Sequence, residues 1–160
     1  MSSQVFLSLR VPAQPTQAFE AFTQQIASWW QPNPLFPITS DGDGKLAFEP
    51  GVGGRLITRL DSGAVFEIGR ISVWEPGRRL VFSWRQASFS PDQSTEVEVR
   101  FEPVGDETRI SIEHRAWDTI PQGHVARHGF PEPVTLERVA DWWRGSLRQL
   151  AAMAGAPDGR

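Results

Sequence analysis

The feature that most limits how this chain can fold is a change of hydrophobic period. Between residues 46 and 115 apolar and polar residues alternate, and from residue 136 apolar residues recur every three or four positions. Period two belongs to strands with one buried face, and period 3.6 to a helix with an apolar stripe. In the alternating part, Leu46 and Phe48 make a short strand, Leu56 to Leu60 the next, and Val65 to Trp74 a longer one. Leu80, Phe82 and Trp84 alternate in a further strand. Val97, Val99 and Phe101 do the same, with Glu96, Glu98, Arg100 and Glu102 between them. Arg109–Arg115 closes the series, with Ile110, Ile112 and His114 on one face. Turn chemistry separates these runs: Gly51, Gly53 and Gly54, then Asp61-Ser62-Gly63, Glu75-Pro76-Gly77 and Gly105-Asp106. Such close spacing suits an antiparallel meander with one wet face.

Other elements flank the meander. Residues 4–11 read as a strand with Val5, Leu7 and Leu9 on one face and Phe6 on the other. Pro15 suits the first turn of a helix that runs to residue 30, where Phe19, Phe22, Ile26 and Trp29 or Trp30 fall at helical spacing. Residues 31–45 are rich in Pro, Gly and Asp and form a long loop. On the last helix Leu136, Val139, Ala140, Trp143, Leu147, Leu150 and Ala154 make the stripe, with Arg138, Asp141, Arg144 and Arg148 opposite, and Gly155 ends it. A stripe of that length must be buried against another element. The expectation is one α+β domain over residues 1–160. Its curved antiparallel sheet, joined by the first strand, wraps around the long C-terminal helix.

Charge and composition narrow the function classes. The net charge is −3, so no basic excess exists to neutralise a phosphate backbone, and nucleic acid is not an expected partner. No apolar run is long enough to span a bilayer. The N-terminus lacks the basic and apolar regions of a secretory leader. Cysteine is absent, which excludes disulfides and thiolate metal sites and fits a reducing compartment, so a cytoplasmic location is expected. Seven Trp and ten Phe accompany no Tyr. Large aromatics either fill a core or line a ligand cavity, and composition does not separate the two.

Few residues carry candidate chemistry. His114 shares the inward parity of Ile110 and Ile112, so it is either an acid, base or ligand hook near neutral pH or a buried neutral imidazole with a fixed partner. If Val65, Gly69, Ile71 and Val73 face inward, Glu67 does too, and Arg55 or Arg59 on the adjacent strand would then be its partner. A bulge near Gly69 would turn it outward instead. His124 and His128 stand four apart, but Gly123, Gly129 and Pro131 make that stretch a poor helix. No metal site is expected there, only a polar loop over a cavity mouth. Asp41-Gly42-Asp43-Gly44 lacks the distal glutamate of a calcium loop and reads as a turn. There is no Gly-x-Ser-x-Gly elbow, phosphate loop or dinucleotide fingerprint, and no cofactor is expected.

The element order, with several local strings, resembles a known superfamily. The strings are Trp29-Trp30-Gln31-Pro32, Gly53-Gly54-Arg55, Gly69, Glu75-Pro76-Gly77-Arg78-Arg79-Leu80, Phe82-Ser83-Trp84, Glu113-His114-Arg115-Ala116-Trp117 and Trp143-x3-Leu147-x2-Leu150. Together they resemble the helix-grip, START-like or SRPBCC superfamily that includes the birch pollen allergen. They are most similar to its branch named for the activator of heat-shock-protein-90 ATPase. The resemblance implies a cavity between sheet and last helix that takes a small apolar or amphipathic molecule. Its expected walls are Leu80, Phe82, Trp84, Val97, Val99, Phe101, Ile112, His114, Trp117 and Trp143, with Glu67 as a polar hook at its end. Trp143 would then border open space, and its truncation would cost less than about 2.5 kcal/mol, below the cost for a filled core. Two alternatives stand beside this binding module. One is a cyclase- or hydratase-like enzyme in which His114 or Glu67 moves protons. The other is an interaction protein that docks on a chaperone through its outer sheet face. A homodimer through that face or an edge strand is compatible with each.

Overall fold

The computed structural model describes residues 4–33, 38–39, 44–90, 93–117, 120, 124 and 129–154. Seven strands form one antiparallel sheet in the order β1-β7-β6-β5-β4-β3-β2. They are β1 (Val5–Val11), β2 (Lys45–Phe48), β3 (Arg55–Arg59), β4 (Val65–Glu75), β5 (Arg79–Trp84), β6 (Thr95–Val104) and β7 (Glu107–Arg115). From β2 to β7 each strand pairs with its neighbour in sequence, which short turn-bounded connections favour. The first strand instead pairs with the last, from Val5 opposite His114 to Val11 opposite Thr108. The sheet curls around the C-terminal helix, as the period change implies.

The first helical segment is broken where a continuous helix was expected. Helix α1 (Pro15–Gln24) has Pro at its start and a reciprocal cap in which the Gln14 N–H donates to Gln17 Oε1 at 3.1 Å. Gln25 leaves helical geometry, and α2 (Ile26–Trp29) follows as one turn. Trp30 leaves helical geometry at the end of α2, and both Trp29 and Trp30 are buried, although adjacent residues of a continuing helix would point about 100° apart. The Trp29 indole N–H donates back to the Ala21 carbonyl at 3.1 Å, which ties the two pieces together.

Helix α3 (Glu132–Ala154) starts a turn before the stripe and lies against β1, α1 and α2. Val139, Trp143, Leu147 and Leu150 are buried as the stripe requires, and Trp142 is buried beside them. The stripe is therefore wider than its three- and four-residue spacing indicates. The extra ring is accommodated because the Trp142 indole N–H reaches the Gln31 carbonyl at 2.8 Å, while the Gln31 N–H donates to Ser146 Oγ at 3.2 Å. The Trp-Trp-Gln string thus has a structural explanation. Its two rings enter the core, and its next backbone unit latches onto α3.

Strand β4 corrects the expected parity. Its register slips twice, opposite Leu56/Ile57 and again between Ile71 and Val73. Each bulge adds a residue and exchanges the two faces. Phe66, Ile68, Ile71 and Trp74 consequently pack inward, while Val65 is 45% exposed. At the first bulge Gly69 has no room for a side chain, because a Cβ there would lie 1.7 Å from the Ser83 carbonyl oxygen. Gly69→Ala is therefore expected to lower stability by about 3 kcal/mol, the upper end of the usual overpacking range. Gly145, on α3, has nothing within 4 Å of its would-be Cβ. Gly145→Ala should stabilise the protein by about 0.8–1.0 kcal/mol from helix propensity alone. Urea midpoints of the two variants check both signs.

Candidate functional site

The aromatic side chains meet in two groups. Under α1, Phe101 touches Phe19 and Phe22, Phe19 packs edge-on against Trp74, and Phe82 packs on Phe48. At the other end, Trp30 touches Trp84, Trp142 and Trp143 with ring centroids 5.2, 5.1 and 5.7 Å away. His114 lies 5.2 Å from Trp117 and 6.1 Å from Trp143, and Trp117 lies 6.2 Å from Phe89. Leu80, Val97, Val99 and Ile112 are fully buried on the strands between. The expected wall residues thus share one hydrophobic core, but Phe101 and Phe82 belong to a different end from Trp84, His114, Trp117 and Trp143. Trp143 is 2% exposed and packed between Trp30 and His114, so the expected open space does not border it on those sides.

His114 is held by a defined chain of hydrogen bonds. The Trp143 indole N–H donates to its Nδ1 at 3.1 Å, and its Nε2 lies 2.7 Å from Thr95 Oγ1. Indole is only a donor, so Nδ1 must be the unprotonated nitrogen of a neutral ring. Nε2 then carries the hydrogen and donates to Thr95, whose hydroxyl passes its own hydrogen to the Trp84 carbonyl at 3.2 Å. Burial pushes the pKa of His114 down to about 3. Complete burial without an acidic neighbour favours the neutral form, and both ring nitrogens are already committed. Thr95 also lines an outer groove of about 350 Å³, together with Ser83, Ser94, Glu96, Arg115 and Ala116.

The turn after β7 delivers Trp117 to this group. Strand alternation would carry Trp117 to the outer face. Ala116, however, has φ 71°, the left-handed region that a residue with a Cβ enters at a cost. The chain therefore reverses its facing there, and Trp117 is fully buried.

Glu67 is not part of the interior. The bulge at Gly69 turns it to the outer face, where it pairs with Arg70 at 3.3 Å and is 38% exposed. Neither Arg55 nor Arg59 is its partner: Arg55 pairs with Glu49 at 2.8 Å. The buried carboxylate of the sheet is Glu98, also on the outer face. It accepts from Arg79 Nε at 2.6 Å, Arg115 at 2.7 Å and Arg100 Nε at 2.9 Å. Burial opposes its ionisation, but the hydrogen bonds from Arg115, Arg79 and Arg100 outweigh it and hold the carboxyl at about 2. Arg115 also pairs with Glu96 and Glu113, so the outer face over β5–β7 is a ladder of ion pairs.

His124 has its Nε2 3.0 Å from the Ser88 carbonyl and its ring on Phe89 at 5.5 Å. His128 and residues 41–43 lie outside the described residues. No helix among the described residues is long and apolar enough to cross a membrane. Sequence reasoning passed over Trp30 as a hub, Trp142, Phe89 and Gln86. The doubled tryptophans at 29–30 and 142–143 were a usable signal. Phe89 and Gln86 lie in an aperiodic connection and gave none.

A curled antiparallel sheet closed around a C-terminal helix defines the helix-grip class of α+β proteins. The chain belongs to the family described as Activator of Hsp90 ATPase homolog 1-like protein, whose pattern matches residues 12–155. Among solved structures it is similar to the anthrahydroquino-gamma-pyrone synthase Txn09, with 31% identity over 93% of this chain and 95% of that one, at a TM-score of 0.57. It is similar in fold to the Aha1 dimer from Colwellia psychrerythraea, with 16% identity over 98% of both chains and a TM-score of 0.65. It is likewise similar to the HSP90 activator PFC0360w from Plasmodium falciparum, with 19% identity over 97% of this chain and 98% of that one and a TM-score of 0.66. No curated protein matches the chain.

Proposed function

We propose that this protein binds a small, largely apolar molecule between the sheet and α3, at the end where Trp84, Phe89, His114, Trp117 and Trp143 converge. The observation that carries this reading is the row of rings from Trp30 through Trp84 and His114 to Trp117 and Phe89. Flat apolar faces with few polar atoms suit a ligand of fused or conjugated rings. The relation to a synthase named for an anthrahydroquino-gamma-pyrone agrees with that chemistry. A proton-transfer role gains no support, because His114 is neutral with both nitrogens engaged and Glu67 faces solvent.

A titration with Nile red, an uncharged dye whose emission shifts in apolar surroundings, tests the reading. Saturable one-to-one binding is expected. Phe89→Ala should weaken it at least about tenfold, or about 1.4 kcal/mol, with the far-UV dichroism unchanged. Dye binding that never saturates, or that ignores Phe89→Ala, would refute it.

A further inference from the structure

Three consecutive residues leaving β5 carry buried polar atoms that no group among the described residues engages. They are Trp84 Nε1, Arg85 Nε and both atoms of the Gln86 carboxamide. Trp84 and Gln86 are each 1% exposed. Interiors seldom leave such groups unmet, and a ligand is one of the few explanations. Here the contrast is local. The indole N–H groups of Trp29, Trp142 and Trp143 each have an acceptor, as do the hydroxyls of Thr23, Thr95 and Thr108.

The unmet atoms are mostly donors: an indole N–H, a guanidinium N–H and a carboxamide NH2. They also lie at the same end as the proposed pocket. Trp84 is in the ring cluster, and the Gln86 carbonyl accepts the Phe89 N–H at 2.9 Å. The Arg85 guanidinium lies 5.0 Å over the ring of Phe66, which packs against the core. No carboxylate pairs with Arg85 among the described residues, whereas Arg55, Arg70, Arg79, Arg100 and Arg115 all have one. A half-buried cation flanked by two neutral donors is suited to an anionic oxygen group, and the rings beyond it to an aromatic body.

We propose that Trp84, Arg85 and Gln86 form the polar edge of the binding site, and that the ligand is an aromatic molecule bearing a carboxylate. This rests on the binding reading above, and the test separates the two. 2-Naphthoate and its uncharged methyl ester are titrated into the whole protein by displacement of Nile red. The wild type should bind naphthoate at least tenfold more tightly than the ester. Arg85→Gln should abolish that preference and leave the ester within twofold of wild type. Gln86→Leu should weaken naphthoate about tenfold yet raise the melting temperature of the ligand-free protein, since it removes unmet buried polar atoms. Equal binding of acid and ester by the wild type would overturn the polar edge and leave the pocket standing. So would a lowered melting temperature for Gln86→Leu. Failure of Nile red and both naphthalenes to bind would overturn both readings.

Discussion

Trp143→Ala is expected to lower the unfolding free energy by about 3–5 kcal/mol, the range for removing a large aromatic from a packed core. The loss has two parts. The ring sits between Trp30 and His114, and neither neighbour can collapse far into the hole. Its indole N–H is also the donor to His114 Nδ1, so truncation leaves a buried acceptor unmet. Trp143→Phe isolates the second part, because it keeps most of the ring and removes only the donor. It should cost about 1–3 kcal/mol. Denaturant midpoints at fixed slope measure both. A loss below about 2.5 kcal/mol for the alanine variant would mean that Trp143 borders open space after all.

Acidification should weaken the fold well before any carboxylate is titrated. His114 has its pKa lowered from 6.5 to about 3 in the folded state. Below 6.5 the unfolded chain binds a proton that the folded chain refuses, so stability falls with falling pH until about 3. One proton gives a slope of at most about 1.4 kcal/mol per pH unit. Glu98 acts in a lower window. Its folded pKa is about 2 against an ordinary 4.5, so its contribution is present above 4.5 and lost as pH falls through 2. Between pH 6.5 and 4.5 the slope therefore isolates the histidine. His114→Gln, which can still accept from Trp143 and donate to Thr95, should flatten that part of the curve. A wild-type stability that is level from pH 6.5 to 4.5 would contradict the buried neutral imidazole.

Much of the architecture was legible because it depends on period. The change from two to 3.6 identified the meander and the helix that it grips. On β5, β6 and β7 the residues that parity turns inward, Leu80, Phe82, Trp84, Val97, Val99, Phe101, Ile110, Ile112 and His114, are all buried, since those strands pair without a slip, although Val81, Glu98 and Ser111 on the outer face are buried too. On β4 the same rule failed. Two bulges reversed the facing of Glu67, and a bulge depends on how tightly neighbouring strands approach, which no single-strand pattern encodes. The site divides in the same way. His114 and Trp143 lie on regular elements, where parity and spacing turn them inward and they are buried, whereas Gln86 lies in a connection without periodicity. Its significance comes from partners it lacks, and that is a property of three-dimensional surroundings alone.

The pairing of β1 with β7 orders events in time. Val5 and Leu7 find their partners only in His114 and Ile112, more than a hundred residues later in the chain. Closing so long a loop is slow, and the entropy must be lost before the contact returns anything. During synthesis, at about 5–20 residues per second, the first strand waits of the order of ten seconds for its mate. Throughout that wait it presents Val5, Leu7 and Leu9 with no sheet to receive them. Ser8 and Arg10, alternating with those residues beside the exposed Phe6, make the other face of the waiting segment partly polar, which is an ordinary guard against premature strand pairing between chains. Helix α3 also seats on β1, so both the last element made and the first are needed before the grip can close. A nascent chain arrested before residue 107 should therefore hold the hairpins of its middle strands while its N-terminal segment remains open to proteases and chaperones.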